Sequence, residues 1–468
     1  MRAGRGEGDN GGMAMADNIV LFITDDHGSW ATGCYGNPDV RSPNLDELAR
    51  TGVRCAHAFT PTPVCSPARA CIMTGRIASQ HGVHDWLREQ EPEVGAIDWI
   101  AGVPTLAQYL SRSGYTCIQC GKWHIGQSEQ PHGGFHRWFA VGQPQGTHRG
   151  RQRYSDEGEI QQIEGFKTDV VTDHAVGFLR SDAATEPFFL VVGYIGTHTP
   201  WKGHPERLAA AYRARDLHLV ADAPPLRVDG GPGQGVDPRE ALVQYYAAVT
   251  HIDEGVGRVL DALEVAGLRA RTTVVYTADH GLALGQRGIY GKGNGTLPKN
   301  MAETSIRVPL IWNHPERLVQ GAVVESLVDH CDLFCTLLDH AGSDAWRGDA
   351  ALPGASYLPA LRGEPLADWR DTYFGEFGPV RCVRTRGEKL VRRYGHGSDE
   401  WYDLVVDPRE GDNRIDSTDP RVQARIAALD ARLQAYFTRY EDPRRSGLRW
   451  DPASRGVGAD AVAAGWGN

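Results

Sequence analysis

The stretch NIVLFITDDHG, residues 18–28, decides how the chain is read. Ile19 to Ile23 is an unbroken apolar run, and it stops abruptly at Asp25-Asp26-His27. An unbroken rather than alternating run predicts a strand covered on both faces, which belongs in a largely parallel sheet with helices above and below. In such sheets ligands bind outside the carboxyl ends of the strands. Three further runs end the same way: YTCIQC (115–120) enters Gly121-Lys122-Trp123-His124, PFFLVVGYI (187–195) enters Thr197-His198-Thr199-Pro200, and TTVVYTA (272–278) enters Asp279-His280-Gly281. One acidic residue after one strand is usually a cap or a solvated turn. Four polar endings in one sheet are expected to converge.

Helices are expected at NLDELARTG from Asn44, at TLAQYLSRSG from Thr105 and along LVQYYAAVTHIDEGVGRVLDALEVAG. In the last, Val243, Tyr246, Ala247, Ile252, Val256, Val259, Leu260 and Leu263 approximate a helical stripe. The Gly- and Pro-rich stretches 131–150 and 223–238 read as surface loops. Past residue 370 the pattern shortens to RCVRTRGEKLVRRYG and EWYDLVV, then a helix in RVQARIAALDARLQAYFTRY. The expected fold is therefore α/β, a large mostly parallel central sheet flanked by helices on both faces, with a smaller C-terminal α+β subdomain of short antiparallel sheet plus helix. The divisions expected are a disordered extension over 1–15, a catalytic domain over 16–370 and the subdomain over 371–468.

The 468 residues suffice for a large core with an appendage. No apolar run approaches the ~18 residues of a membrane span, and the net charge of −10 argues against nucleic acid or anionic lipid as partners. Nine cysteines spread over the chain fit reduced thiols better than a disulfide framework. The polar, Gly-rich start lacks the apolar segment of a secretory signal, with Met13 or Met15 as alternative starts, and the expected compartment is the cytoplasm. No sequence feature sets an oligomeric state. Six lysines accompany forty-three arginines, so a lysine that survives this bias is a candidate for a role needing its compact ammonium, Lys122 and Lys292 first.

Asp25, Asp26 and Asp279 with His280 offer hard oxygen ligands and one imidazole, a set suited to one divalent cation: Ca²⁺ by first expectation, Mg²⁺ or Mn²⁺ as alternatives. Lys122, Lys292, His124 and His198 around a cation make sense when an oxyanion lies between them, so the substrate should carry a sulfate or a phosphate. The stretch TPTPVCSPARACIMTGR (60–76) puts Cys65 in this company. Its thiol reads as core filler, metal ligand or nucleophile, and a plain thiolate is a poor partner for a hard cation.

Cys65-Ser66-Pro67-Ala68-Arg69 resembles the Cys-x-Pro-x-Arg signature of type I sulfatases in the alkaline phosphatase superfamily. SPNLDELARTGVR, GKWHIG, YYAAVTHIDEGVGRVLDALE, YTADHGLALGQRGIYGK, ETSIRVPLIW and EWYDLVVDPREGDN also resemble sulfatase segments, in family order over nearly the whole chain. The resemblance implies that a maturation enzyme oxidises Cys65 to formylglycine. Asp25, Asp26, Asp279 and His280 would then hold the metal together with the modified Cys65. Lys122 and Lys292 would bind sulfate, Arg69 would steady the formylglycine hydrate, and His124 and His198 would handle protons. One hydroxyl of the hydrate attacks sulfur, and deprotonation of the other later expels sulfate. The implied reaction is hydrolysis of a sulfate monoester, of a saccharide or a small organic alcohol. A phosphonate monoester or phosphodiester hydrolase of the same superfamily is the alternative, and a non-catalytic anion-binding homologue the more distant one.

The sequence departs from the commonest family pattern at His280, where many arylsulfatases carry asparagine, and at Gln286-Arg287, in place of Glu-His. SQHGVHDWL offers His81, His84, Asp85 and Trp86 as pocket walls, with a surface or supporting role as the alternative. Trp201 and Lys202 are candidate substrate contacts, the tryptophan suiting a sugar ring. Cys117 and Cys120, three apart on a strand, should face opposite ways, and Cys331 and Cys335 at i, i+4 should be buried packing residues.

Overall fold

The structure is a computed structural model and describes residues 16–143, 147–181, 184, 187–218 and 237–449. The expected N-terminal extension over 1–15 and most of the expected loop at 223–238 lie outside the described residues. Among the described residues the main sheet has eleven strands. Its centre is β1 (Asn18–Thr24), flanked by β7 (Phe188–Tyr194) and β8 (Thr272–Ala278), with β3 (Thr116–Gly121) beyond β7, all parallel. Burial alternates as the pleat requires: Ile19, Leu21 and Ile23 enter one core cluster, Val20 and Phe22 the other. That two-sided burial is why the run in β1 is continuous rather than alternating.

Around this centre the sheet becomes mixed. On one side β4 (Arg137–Val141) runs parallel to β3, and β5 (Arg149–Asp156) and β6 (Glu159–Phe166) continue antiparallel. On the other, β12 (Leu310–Asn313) pairs antiparallel with β8 and with β2 (Val53–Phe59), which also holds β11 (Arg307–Val308) and, in parallel, β13 (Ala322–Asp329). A two-residue ladder, β9 (Ala283–Leu284) with β10 (Tyr290–Gly291), closes the segment after β8. The loop expected over 131–150 is corrected: it contains β4 and the start of β5. Arg137-Trp138-Phe139-Ala140-Val141 is short and flanked by turn residues, and pairing to β3 is what makes it a strand.

The C-terminal part has an antiparallel sheet of β14 (Tyr373–Phe377), β15 (Val380–Arg384), β16 (Glu388–Arg392) and β17 (Glu400–Asp403), covered by the helix Pro420–Tyr440. That helix buries Val422, Ile426, Leu429, Leu433 and Phe437, a stripe at spacings of three and four. The long helix begins at Pro238, capped by Asp237, and runs to Val265. All nine cysteines are free thiols. Cys117 bonds Ala107 O on one face of β3 and Cys120 bonds Val171 O on the other, as the strand period requires. Among the described residues no helix is long and apolar enough to cross a membrane.

Candidate active site

The four central strands end level with one another: Thr24 is in register with Tyr194 and Ala278, and Gly121 with Gly193. The ladder continues one residue past each end, through Asp25 N to Tyr194 O (3.1 Å), Asp279 N to Thr24 O (2.8 Å) and Lys122 N to Gly193 O (2.9 Å). Four polar strand endings are thereby fixed on one rim. Gly121 has φ +106, and a Cβ there would lie 2.2 Å from Gly193 O, so only glycine lets β3 approach β7 closely enough to seat Lys122.

Cys65 opens the helix Cys65–Thr74, whose ten residues are all buried. At the N-terminus it takes the positive end of the helix dipole. Arg69, one turn on and therefore on the same face, donates Nε to Asp279 Oδ2 (2.9 Å) and Nη1 to Lys122 O (2.9 Å), leaving Nη2 without a partner. Lys292 donates Nζ to Asp26 Oδ1 (2.7 Å) and to Cys65 Sγ (2.8 Å), and Lys122 donates to Asp25 Oδ2. Burial would raise the Cys65 thiol. Lys122 and Lys292 overcome it, with His124 and His198 beside the sulfur, and hold the thiol well below its usual range.

The donor atoms of Asp25, Cys65, Asp279 and His280 lie within 4.8 Å of one another, as do those of Asp25, Asp26, Cys65 and His198. His280 Nδ1 donates to Gly281 O (2.9 Å), which turns Nε2 toward the carboxylates, 3.2 Å from Asp26 Oδ1 and 3.4 Å from Asp279 Oδ1. Asp25 Oδ1 and His280 Nε2 are buried with no hydrogen-bond partner. Burial would lower His280, yet Asp279 and Asp26 raise it to about 9. Two orphaned ligand atoms buried among three carboxylates are what a hard divalent cation fits.

His124, at φ 64, donates Nε2 to Leu87 O (2.8 Å), so its Nδ1 carries the lone pair. His198 donates Nδ1 to Thr199 O (2.6 Å), which leaves Nε2 for a ligand. Burial and Lys292 would lower His198, but Asp26 and Asp25 raise it.

Of the expected pocket walls, His81 is fully buried, its Nδ1 accepting from Val83 N and its Nε2 against Cys71 Sγ. His84 donates Nε2 to Arg445 O (2.6 Å), and Asp85 pairs with Lys299 (2.8 Å). Trp86 is partly buried, with the Arg88 guanidinium 5.3 Å from its ring. This segment abuts the helix that Cys65 opens, since Leu87 N donates to Ser66 Oγ (3.0 Å). Trp201 is buried with Nε1 unpaired, and Lys202 is exposed. Arg287 turns to Glu410 (3.3 Å) and Tyr402 (3.0 Å), tying the loop before Lys292 to the C-terminal sheet.

Thr197, in one of the four polar strand endings, donates Oγ1 to Asp25 O. Buried Glu89, which carried no sequence signal, accepts from Gly126 N (3.0 Å) and Ser128 N (3.3 Å), fixing the turn that carries His124. It is a polar loop residue, ordinary until folded.

The family model described as Sulfatase matches residues 17–343, and that described as N-sulphoglucosamine sulphohydrolase, C-terminal, matches 297–438. The N-acetylglucosamine-6-O-sulfatase of Bacteroides thetaiotaomicron is 27% identical, covering 85% of this chain and 82% of its own length. A solved structure described as a complex with its substrate D-glucosamine-2-N,6-O-disulfate superposes with TM-score 0.79 at 23% identity, over 91% of this chain and 98% of that one. The phosphonate monoester hydrolase of Agrobacterium radiobacter superposes with TM-score 0.72 at 21% identity, over 91% and 96%. With a family match over most of the chain, and the Cys-x-Pro-x-Arg helix facing a carboxylate cluster, the chain belongs to the sulfatase family, the sulfuric ester hydrolases of the alkaline phosphatase superfamily.

Proposed function

We propose that the ester cleaved is a sulfate monoester of a saccharide, that position 65 acts as formylglycine, and that the ion is Ca²⁺. The observation that carries the reading is Cys65 at a buried helix N-terminus with Lys292 on its sulfur and the carboxylate cluster beside it. Relatives that act on sulfated glucosamines support the saccharide. A divalent cation held by Asp25, Asp26, Asp279 and His280 would supply Lewis-acid neutralisation of a sulfuryl oxygen. Formylglycine in place of the thiol would supply a geminal diol, a hard oxygen nucleophile that releases sulfate without a second nucleophile.

The chain's own residues do the rest. Lys122 and Lys292 neutralise the sulfuryl oxygens. His198, its pKa raised, delivers a proton from Nε2 to the departing alcohol oxygen, and His124 Nδ1 takes the proton from residue 65. Arg69 Nη2, unspent in the structure, holds an oxygen at position 65. His81, His84, Asp85, Trp86, Trp201 and Lys202 are proposed around the alcohol portion, with Asp85 and Lys299 as a paired unit. Nine free thiols support a reducing compartment, and we place the chain in the cytoplasm. A domain boundary near residue 370 is part of this reading, as is a maturation enzyme as partner.

Two measurements test it. The tryptic peptide carrying Cys65, from active protein, should be lighter by about 18 Da than the thiol form, with activity tracking that fraction. Matched sulfate, phosphonate and phosphate diester substrates should show sulfate preferred. Full activity with unmodified cysteine defeats the formylglycine reading, and dominant phosphonate turnover defeats the sulfate one.

A further inference from the structure

Five of the six lysines are buried, in a chain that otherwise uses arginine for positive charge. Four have carboxylate partners: Lys122 with Asp25, Lys292 with Asp26, Lys299 with Asp85, and Lys389 with Glu303 and Glu410. The fifth, Lys167, is 2% exposed and its Nζ has no hydrogen-bond partner. A buried ammonium with three unused donors is among the costliest groups a fold can hold. It is retained where an anion arrives to meet it.

Its position says where that anion sits. Lys167 is the first residue of the helix Lys167–Leu179, which packs on β7 and β3, and the charges that act on it are those of Lys122 and Asp25. Its backbone N–H donates to His148 O (3.0 Å), and His148 Nε2 donates to His198 O (2.8 Å). The His148 ring feels the charges of both His198 and Lys167, so the Lys167 ammonium lies on the side of the site that carries His198. Cys65, by contrast, is flanked by Lys292 on its sulfur and feels Lys122, so the sulfuryl group already has its two ammoniums. Trp201 Nε1 and Tyr290 OH, near the same rim, are also buried donors without partners, their rings 6.5 Å apart. Burial, reinforced by the like charge of Lys122 and only partly offset by Asp25, lowers Lys167 to about 7, the direction of an ammonium without a bonded carboxylate.

We propose that Lys167 is a specificity residue, and that the substrate is a saccharide sulfate bearing a second anionic group, a carboxylate or another sulfate, which Lys167 Nζ binds on the leaving-group side. This rests on the sulfatase reading above. A charge-assisted hydrogen bond formed to a buried partner is worth one to two powers of ten in affinity.

The test uses matured, metal-loaded enzyme and pairs of sulfated sugars that differ by one anionic group. One arm adds a second sulfate, the other a carboxylate, and released inorganic sulfate is measured. Wild type is expected to favour the doubly anionic member at least tenfold in kcat/KM, and the arm with the larger ratio names the group. Lys167→Met should collapse that ratio by 10- to 100-fold, and Lys167→Arg should restore part of it. Loss of an unpaired buried charge should leave the melting temperature level or raised. Equal loss on both members of each pair, an unchanged ratio, or a melting temperature lowered by several degrees overturns the proposal. Wild type that releases sulfate from no ester refutes the sulfatase reading itself, a result distinct from sulfate release without the preference.

Discussion

Arg69→Met is the sharpest perturbation the structure offers. Arg69 is 2% exposed and joins three elements: its own helix, the end of β8 through Asp279, and the end of β3 through Lys122 O, both bonds at 2.9 Å. Asp279 is fully buried, and burial already pushes its carboxyl up, opposed by His280 and Arg69. Methionine fills most of the volume but supplies no charge and no donor. Removing one partner of a buried pair costs about 3–5 kcal/mol, most of it from the carboxylate left behind. In protein stripped of metal by chelator, the urea midpoint should fall by about 1 M, taking a slope of roughly 3 kcal/mol/M or somewhat more for a chain this size. Arg69→Lys keeps the charge without the planar fork and should recover less than half of the loss. Activity should fall in both variants, because Lys122 and Asp279 lose their common anchor. A midpoint within about 0.2 M of wild type for Arg69→Met would refute the argument, since Asp279 would then be satisfied without Arg69.

Two further outcomes follow from burial and backbone geometry. Burial holds His84 at about 4 and His340 at about 3, below the 6.5 of an unfolded histidine. The folded state thus resists protonation, so the stability is whole above pH 6.5 and is lost as pH falls through that value toward 4 and below. The loss is roughly 3 kcal/mol per histidine. Thermal melts from pH 7 to 4 should show the decline, and His340→Gln, which keeps a polar partner for Thr273 Oγ1 (2.6 Å in the native chain), should flatten it. An equally steep decline in that variant would refute the assignment. Gly121→Ala should destabilise the fold and cut kcat/KM at least about tenfold by displacing Lys122. Gly36→Ala, at φ +97 with open space around it, is the control and should cost only about 1 kcal/mol with activity kept.

Asp25, Lys122, His198 and Asp279 could be placed on one rim from sequence because each follows an apolar run that a two-sided sheet requires, and such runs end at the carboxyl edge of the sheet. The outer strands could not. Arg149–Asp156 and Glu159–Phe166 are mostly polar, half-exposed segments that become a strand pair only through each other and through β4. The Cys65 signature was legible as a resemblance, yet its company was not. That Lys292 reaches the sulfur from 227 positions away, and Arg69 reaches Asp279 from 210, is a property of the folded chain.

By itself the sequence determined the fold class and the rim of polar strand endings, and it carried the Cys65 signature as a resemblance, since local hydrophobic pattern and short motifs hold that information. Only the tertiary structure decided which lysines have partners. Lys167 reads as a helix-start residue like any other, and its meaning lies in a hydrogen-bonded partner that its ammonium lacks among neighbours drawn from distant parts of the chain. Whether a buried ammonium is paired depends on three-dimensional distance, which sequence separation does not encode.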